Sequence, residues 1–448
     1  MRHSESHPSI DHIRFALAEY QQSRQFRVKN ICDAAYFAMR VETLATLKHW
    51  CIAFFVLPHS RDYLIDRHCN AMVGATKLDF LPIPETSLGG TISFDAARGA
   101  GQKDSQARRA LRALPLLALL FAAPYIARDV FPFTEGLSVS SRLAIDNRSF
   151  MRLFDAIKGI DKHLSLGGGP DQTLGSPTIK FMADFAPLQV IWTIESLRRG
   201  NFLTFATFPA LLGIVSQFTG LEYVAPLYYF LHYVQTPLEK YHALDNRLVP
   251  THYAKTLIPG VMVSYLLPTI AIFHMPLSVD TGRWISVTCL LYPIWTALVH
   301  HIFASFVMDT TNHDRIHNPR ADMVYLRRAY AFGAIASGVV YRCPWMTSLL
   351  STPEISSHGI LSPDPQVTVV AAWVRYNHLI TFAGGLMWQL LHFMDLKKAQ
   401  RLNVRLAYIV GVVAGTALLL GPGAAMAVAW SWREEQLSNG RDTAYKLH

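Results

Sequence analysis

A chain of 448 residues that is 51% hydrophobic, 12% aromatic and only 16% charged has the composition of a membrane protein. Its formal net charge of +9 would suit nucleic acid in a soluble protein, but the basic residues fall largely between apolar runs, where they orient a membrane chain, so nucleic acid is discounted. Five widely spaced cysteines, Cys32, Cys51, Cys69, Cys289 and Cys343, with no CxxC, argue against a disulfide framework or a zinc site.

Residues 1–110 are a polar N-terminal region of unassigned role. Their start, MRHSESHPSI, lacks the apolar core of a signal peptide, so insertion is expected to rest on internal spans. Residues 111–180 hold LRALPLLALLFAAPYIA, a ninth candidate span or an interfacial helix, in which Pro115 and Pro124 interrupt the run. A long loop follows, HLSLGGGPDQTLGSP, whose glycines lack both the GK[ST] and the preceding strand of a phosphate loop. Residues 181–430 predict an all-α polytopic bundle. Eight runs approach the roughly 20 apolar residues that a span needs: 181–197, 202–219, 221–235, 257–275, 284–308, 329–349, 367–394 and 406–430. Residues 431–448 read as a polar tail.

Charge orients these spans. Connections after the first, third, fifth and seventh carry Arg198 and Arg199; Lys240, Arg247 and Lys255; Arg315, Arg320, Arg327 and Arg328; and Lys397, Lys398, Arg401 and Arg405. The opposite connections carry Arg283 alone. The first set therefore faces the cytoplasm, and the expectation is a multi-pass protein of the endoplasmic reticulum.

The first span holds two carboxylates. Asp184 and Glu195, eleven residues apart, lie about 20° apart around a helix and roughly 16 Å apart along it, on one face. Either Glu195 pairs with Arg198 or Arg199 at i+3 and i+4, or it borders a functional cavity. Other helices supply polar company. Tyr228, His232, Gln235 and Glu239 follow helical spacing if the helix continues through Pro237; alternatively Thr236, Pro237 and Glu239 form a capping box, T-x-x-E. His300 and His301 fall inside the fifth span, Asp309, Asn312, His313 and Asp314 at its end, and Arg375, Asn377, His378, His392 and Asp395 along the seventh run. Ionisable groups inside spans cost about 2.5–3.5 kcal/mol each on insertion scales and face a cavity or a partner. Here the cavity walls would be aromatic, from Phe181, Phe185, Trp192, Phe202, Phe205, Tyr228, Tyr229, Tyr233 and Phe306.

The segments FAPLQVIWTIESLRRGN and PLYYFLHYVQTPLEKYHALDNRLVP resemble those of fungal integral-membrane terpene cyclases of meroterpenoid biosynthesis, the group of the ascochlorin, ascofuranone and macrophorin cyclases, over roughly residues 181–400. The resemblance implies an enzyme that protonates an epoxide or terminal alkene of a prenylated aromatic or polyketide-derived substrate, then closes rings through a carbocation. The chain has no DDxxD, DxDD or paired aspartate-rich motif, and a cyclase that begins by protonation needs no metal or other cofactor. The roles that follow are Glu239 or Asp309 as general acid, Glu195 as acid or orienting partner, and His232, His313 and Asn312 holding the proton. Trp192, Tyr228, Tyr229, Tyr233 and His301 complete the substrate contacts. The expected partners are a hydrophobic prenylated small molecule and the lipid bilayer; the oligomeric state is unassigned. Two alternatives compete. His313 and His317 form HxxxH beside the adjacent His300 and His301, a fragment of a histidine-box oxygenase or desaturase. Intramembrane acids and histidines would also suit a proton-coupled transporter, although no inverted repeat is evident.

Overall fold

The computed structural model describes residues 9–57, 104–130, 175–241, 244–274, 291–350, 365–399 and 401–439. Among them every regular element is helical. The chain divides into two units, Met1–Lys77 and Leu78–His448. In the first, helix α1 (Ile10–Glu42) starts where the Ser9 hydroxyl accepts the His12 N–H at 3.3 Å, an N-cap. The polar N-terminal region thus contains a 33-residue helix.

In the second unit the principal helices are α2 (Gln106–Val130), α3 (Gly175–Leu197), α4 (Pro209–Thr219), α5 (Leu221–Gln235), α6 (Leu267–His274, reached through a π-turn), α7 (Tyr292–Ser305), α8 (Thr311–His317), α9 (Met323–Leu350), α10 (Pro365–Lys398), α11 (Leu406–Leu420) and α12 (Pro422–Ser438). Helix α3 is central, with α9, α10 and α12 packed on it. The closest approach of α9 falls at Gly333, where an added Cβ would lie 3.0 Å from Pro187. Helix α2 packs on α5 and α10, so the ninth candidate span is a helix of this bundle.

Three predicted runs differ from the structure. The second span shrinks to α4, eleven residues preceded by two 3-10 turns. The eighth, 406–430, is two helices broken at Gly421 (φ +92°), and Pro422 opens α12 at a position that needs no N–H. The tail from residue 431 is in fact the end of α12, with Arg433, Glu434 and Leu437 buried. Parts of the fifth span (284–290), most of the glycine loop, the connection 351–364 and residues 440–448 lie outside the described residues.

Among the described residues one helical stretch, Val374–Lys398 within α10, is long and apolar enough to cross a bilayer; shorter apolar helices include Leu257–Ala271 and Leu406–Leu420. Around a hydrophobic core that includes Leu188, Ile191, Trp192 and Trp388, several charged side chains lie inside and several large apolar ones outside. Arg109, Asp184, Glu195, Arg198, Arg247 and Glu434 are buried. Meanwhile Trp295, Leu298 and Ile302 on α7, Ile335 and Val339 on α9, and Leu418 and Leu419 on α11 face outward.

Candidate active site

Glu195, near the end of α3, is fully buried. Arg198 Nε lies 3.0 Å from Oε1, and the Trp430 indole N–H donates to the same oxygen at 3.0 Å. Asn201 Nδ2 donates to Oε2 at 2.8 Å, with His232 Nε2 at 3.2 Å and Arg433 3.5 Å from Oε1. The His232 tautomer follows from its other edge. Trp388 Nε1, which can only donate, lies 3.2 Å from Nδ1. Nδ1 is therefore the acceptor, and Nε2 carries the hydrogen given to Glu195. Every neighbour of Glu195 donates, an arrangement that suits a carboxylate anion and leaves no acceptor for a carboxylic proton.

The charges continue inward as a buried ladder. Arg198 reaches Glu434 at 2.6 Å, and Arg247 pairs with Asp322 at 2.6 Å and with Glu434 at 3.4 Å. Three carboxylates thus face three guanidiniums, counting Arg433, with all six side chains at most 3% exposed. Such a network is tolerable in an apolar interior only while it is complete. The i+3 ion pair read from the sequence as the bland alternative for Glu195 is present, but as one rung of this ladder.

Around Glu195 and His232 stands a cage of rings. Trp388 stacks on Trp430 with centroids 4.1 Å apart and on Tyr229 at 4.9 Å; Trp192 meets Tyr228 at 4.6 Å; His232 meets Trp388 edge-on at 4.9 Å. Four polar atoms of the cage, Trp192 Nε1, the Tyr228 and Tyr229 hydroxyls and His392 Nε2, are buried with no hydrogen-bond partner. Buried polar atoms normally have partners, and these four sit together on one set of rings, although unpartnered buried atoms also occur elsewhere, among them Tyr330 Oη, Thr381 Oγ1 and Gln389 Oε1.

At the other end of α3, Asp184 is 1% exposed. Its Oδ1 accepts from the Ser337 hydroxyl and from Gly423 N at 3.2 Å, and Oδ2 lies 2.7 Å from His378 Nε2. Ser337 Oγ in turn accepts from Ala424 N at 3.0 Å. These are the free N–H groups of the first turn of α12, so Asp184 and Ser337 cap that helix from neighbouring helices. The approach needs glycine: a Cβ at Gly423 would come within 2.6 Å of the Asp184 backbone.

The structure gathers only part of the predicted site. Trp192, Tyr228, Tyr229 and His232 line the cage with Glu195. Tyr233 lies beside it: its hydroxyl donates to Asp395 Oδ1 at 3.0 Å, and its ring lies 4.0 Å from the Arg109 guanidinium. Arg109 also ties down the carbonyls that end α5, through Tyr233 O at 2.6 Å. That helix stops at Gln235, so the stripe through Pro237 does not form; Thr236 is the C-cap of α5 rather than the start of a capping box. Glu239 lies on the 3-10 turn Leu238–Tyr241 that follows, and its side chain is outside the described residues.

Asp309 is not brought to the cage. Its side chain is 65% exposed, 3.2 Å from His252 Nδ1, and the Thr311 hydroxyl and backbone N–H hold its carboxyl below the ordinary aspartate range. His301 is exposed and hydrogen-bonds the Tyr253 hydroxyl at 2.6 Å. His313 is 71% exposed, its ring 4.9 Å from that of His317. Both belong to the exposed face of α8 and its neighbours, because the seven-residue α8 stands apart from α7 instead of extending it. Asn312 lies on α8 with its side chain outside the described residues. Phe202, Phe205 and Phe306 face outward rather than walling a cavity. Among the described residues no group of three or more His, Cys, Asp or Glu is placed to share a metal, so HxxxH gains no further ligands there. Sequence reasoning missed Trp388, Trp430, Arg433 and Glu434, which come from 150 or more residues away along the chain.

The sequence profile of the CtvD domain matches residues 167–438. The FAD-dependent monooxygenase BOA8 of Botryotinia fuckeliana is 32% identical over 440 residues, 97% of this chain and 52% of that protein. The terpene cyclase rstn5 of Aspergillus nomiae is 26% identical over 59% of this chain and 73% of its own length. The terpene cyclase ascI of Acremonium egyptiacum is 29% identical over 34% of this chain and 42% of its own. The chain thus spans about half the length of the first-ranked curated relatives. No solved structure matches it. The described residues do not fit the FAD of the monooxygenase names: with no strand among them, they contain no strand, glycine turn and helix to hold a pyrophosphate.

Proposed function

This chain belongs to the CtvD domain family, and on that footing we propose that it is a multi-pass membrane terpene cyclase of meroterpenoid metabolism. It protonates an epoxide or terminal alkene of a farnesylated aromatic or polyketide-derived substrate and closes rings through a carbocation. The observation that carries the reading is one of coverage. The chain corresponds to 52% of a relative named a monooxygenase but to 73% of one named a terpene cyclase. The first match uses 97% of this chain and leaves about half of the monooxygenase-named protein outside it, whereas the second uses 59% of this chain and takes in most of that cyclase; a second terpene cyclase, ascI, is matched over 42% of its length. Buried charge inside outward apolar helix faces supports placement in a bilayer, where polar groups must find partners within the protein.

The cage suits cation chemistry. Faces of Trp192, Tyr228, Tyr229, Trp388 and Trp430 stabilise positive charge that forms beside them. Glu195, kept anionic by its donors, adds a fixed negative charge that needs no reorganisation during the reaction. Its second task is to orient His232 and Trp430, so of the two roles considered for it, orientation prevails over proton donation. The free Tyr228 and Tyr229 hydroxyls and the Trp192 N–H hold the substrate's oxygen. Asp309 is too exposed and too remote in its contacts to serve as the acid. Glu239, two residues before the Tyr241 whose hydroxyl donates to Asn201 Oδ1 at 2.9 Å, is the proposed proton donor.

The test is mass spectrometry of membranes carrying the protein, incubated with a farnesylated phenol and its terminal epoxide. An isomer of unchanged mass is expected. Gain of one oxygen, or loss of two hydrogens, would replace this reading with an oxidative one. Glu239→Gln should lower isomer formation by about 10²- to 10⁴-fold, whereas Asp309→Asn should leave it within a factor of two.

A further inference from the structure

A carbocation cascade that ends in an alkene needs a base, and the roles above supply none. Glu195 is saturated with donors and His232 Nδ1 is occupied by Trp388. One basic group of the cage remains unused. His392 lies on α10 one turn after Trp388, 4% exposed, and its Nε2 is buried without a hydrogen-bond partner. Its ring lies 5.3 Å from His232, 5.4 Å from both Tyr233 and Trp430, and 5.6 Å from Trp388, always edge-on or nearly so. Three residues further on, Asp395 is held by Arg109 at 2.6 Å and by the Tyr233 hydroxyl, which fixes this stretch of α10 against α5. The imidazole is therefore held among the cation-stabilising rings, with Nε2 facing no protein partner.

We propose that His392 is the base that ends the cyclisation, taking through Nε2 a proton from the carbon next to the final cationic centre. The inference rests on the cyclase reading. In the step, the C–H bond breaks, its electron pair becomes the new carbon–carbon π bond, and the proton forms an N–H bond on Nε2. The resulting imidazolium releases that proton to water between turnovers, which balances the one consumed at initiation, so the product is an isomer of the substrate.

The experiment compares products of the wild type, His392→Gln and His392→Ala in membranes given the farnesylated epoxide. The wild type should give an alkene isomer. In His392→Gln the share of that alkene should fall at least tenfold, replaced by a water-trapped alcohol or an alkene of different position. Added imidazole should restore the original alkene in His392→Ala, a rescue that a packing role would not give. Unchanged product ratios in the variants, or lost turnover with unchanged ratios and no rescue by imidazole, would overturn the assignment while leaving the cyclase reading intact. A wild type that forms no isomer would remove both.

Discussion

The two ends of α3 carry the same functional group and use it differently. Asp184 meets a hydroxyl, a backbone N–H and one imidazole, and closes the first turn of α12. Glu195 meets two guanidiniums, an indole, an amide and an imidazole, and sits against a cage with unpartnered polar atoms. A carboxylate in an apolar helix is thus not itself a sign of catalysis. Its partners distinguish the two: backbone donors make Asp184 a cap, while Glu195 is held in a charged ladder beside the cage to which the proposed function assigns it.

The sharpest way to break this comparison is to remove the rung that Glu195 shares with Glu434. Arg198→Met should leave two buried carboxylates short of a partner and cost about 3–5 kcal/mol, seen as loss of monodisperse detergent-extracted protein. Glu195→Gln turns an acceptor into a donor among donors. Turnover to isomer should fall roughly 10²- to 10³-fold, the scale of losing a preorganised charge, in whatever fraction remains folded. Asp184→Asn should cost about 1–2 kcal/mol in thermal unfolding, the worth of a partly buried charge at a helix N-terminus, with turnover per folded molecule within threefold. If Asp184→Asn instead abolished turnover without affecting unfolding, the distinction between the two ends would collapse.

The smallest effect lies outside the helices. Asp104, beside Arg112 at 2.6 Å and Lys398 at 2.8 Å, is lowered to about 2, chiefly by the Arg112 hydrogen bond. Because the folded value lies below the unfolded one, the stabilisation is complete above the unfolded aspartate value and vanishes as pH falls toward about 2. Asp104→Asn should lower thermal stability by no more than about 1 kcal/mol at neutral pH, and the gap to wild type should close on acidification.

Much of the helical layout was legible in the sequence. Helix α5 has the predicted bounds because Gly220 and Pro237 punctuate a mostly apolar run. The break at Gly421 was equally written, in the order Gly-Pro-Gly, but continuous apolarity on both sides made one span of two helices. The site was half legible. Trp192 and Glu195, with Arg198 as a possible i+3 partner, were legible because they share one stretch, whereas Asn201, which donates to Glu195, was not singled out. Trp388, Trp430, Arg433 and Glu434 were not, since buried aromatic residues read as core and WREE reads as a solvated end. Asp309 and His313 failed for the opposite reason: polar residues following an apolar run look like a site rim, yet here α8 leaves them exposed.

The position of α12 carries a consequence for assembly. Asp184 fixes its beginning and Glu195 fixes Trp430 and Arg433 nearer its end, so an early helix and the last described helix run side by side as paired rails, bolted twice. Until the ribosome has delivered α12, Glu195 and Arg198 have neither Trp430 nor Glu434. A growing chain therefore holds Glu195 and Arg198 with an incomplete set of partners until α12 arrives, and closing so long a loop late is slow. Gly421 and Gly423 let α12 come close enough for Asp184 to cap it, and that one contact sets the register in which its aromatic and charged residues meet the ladder.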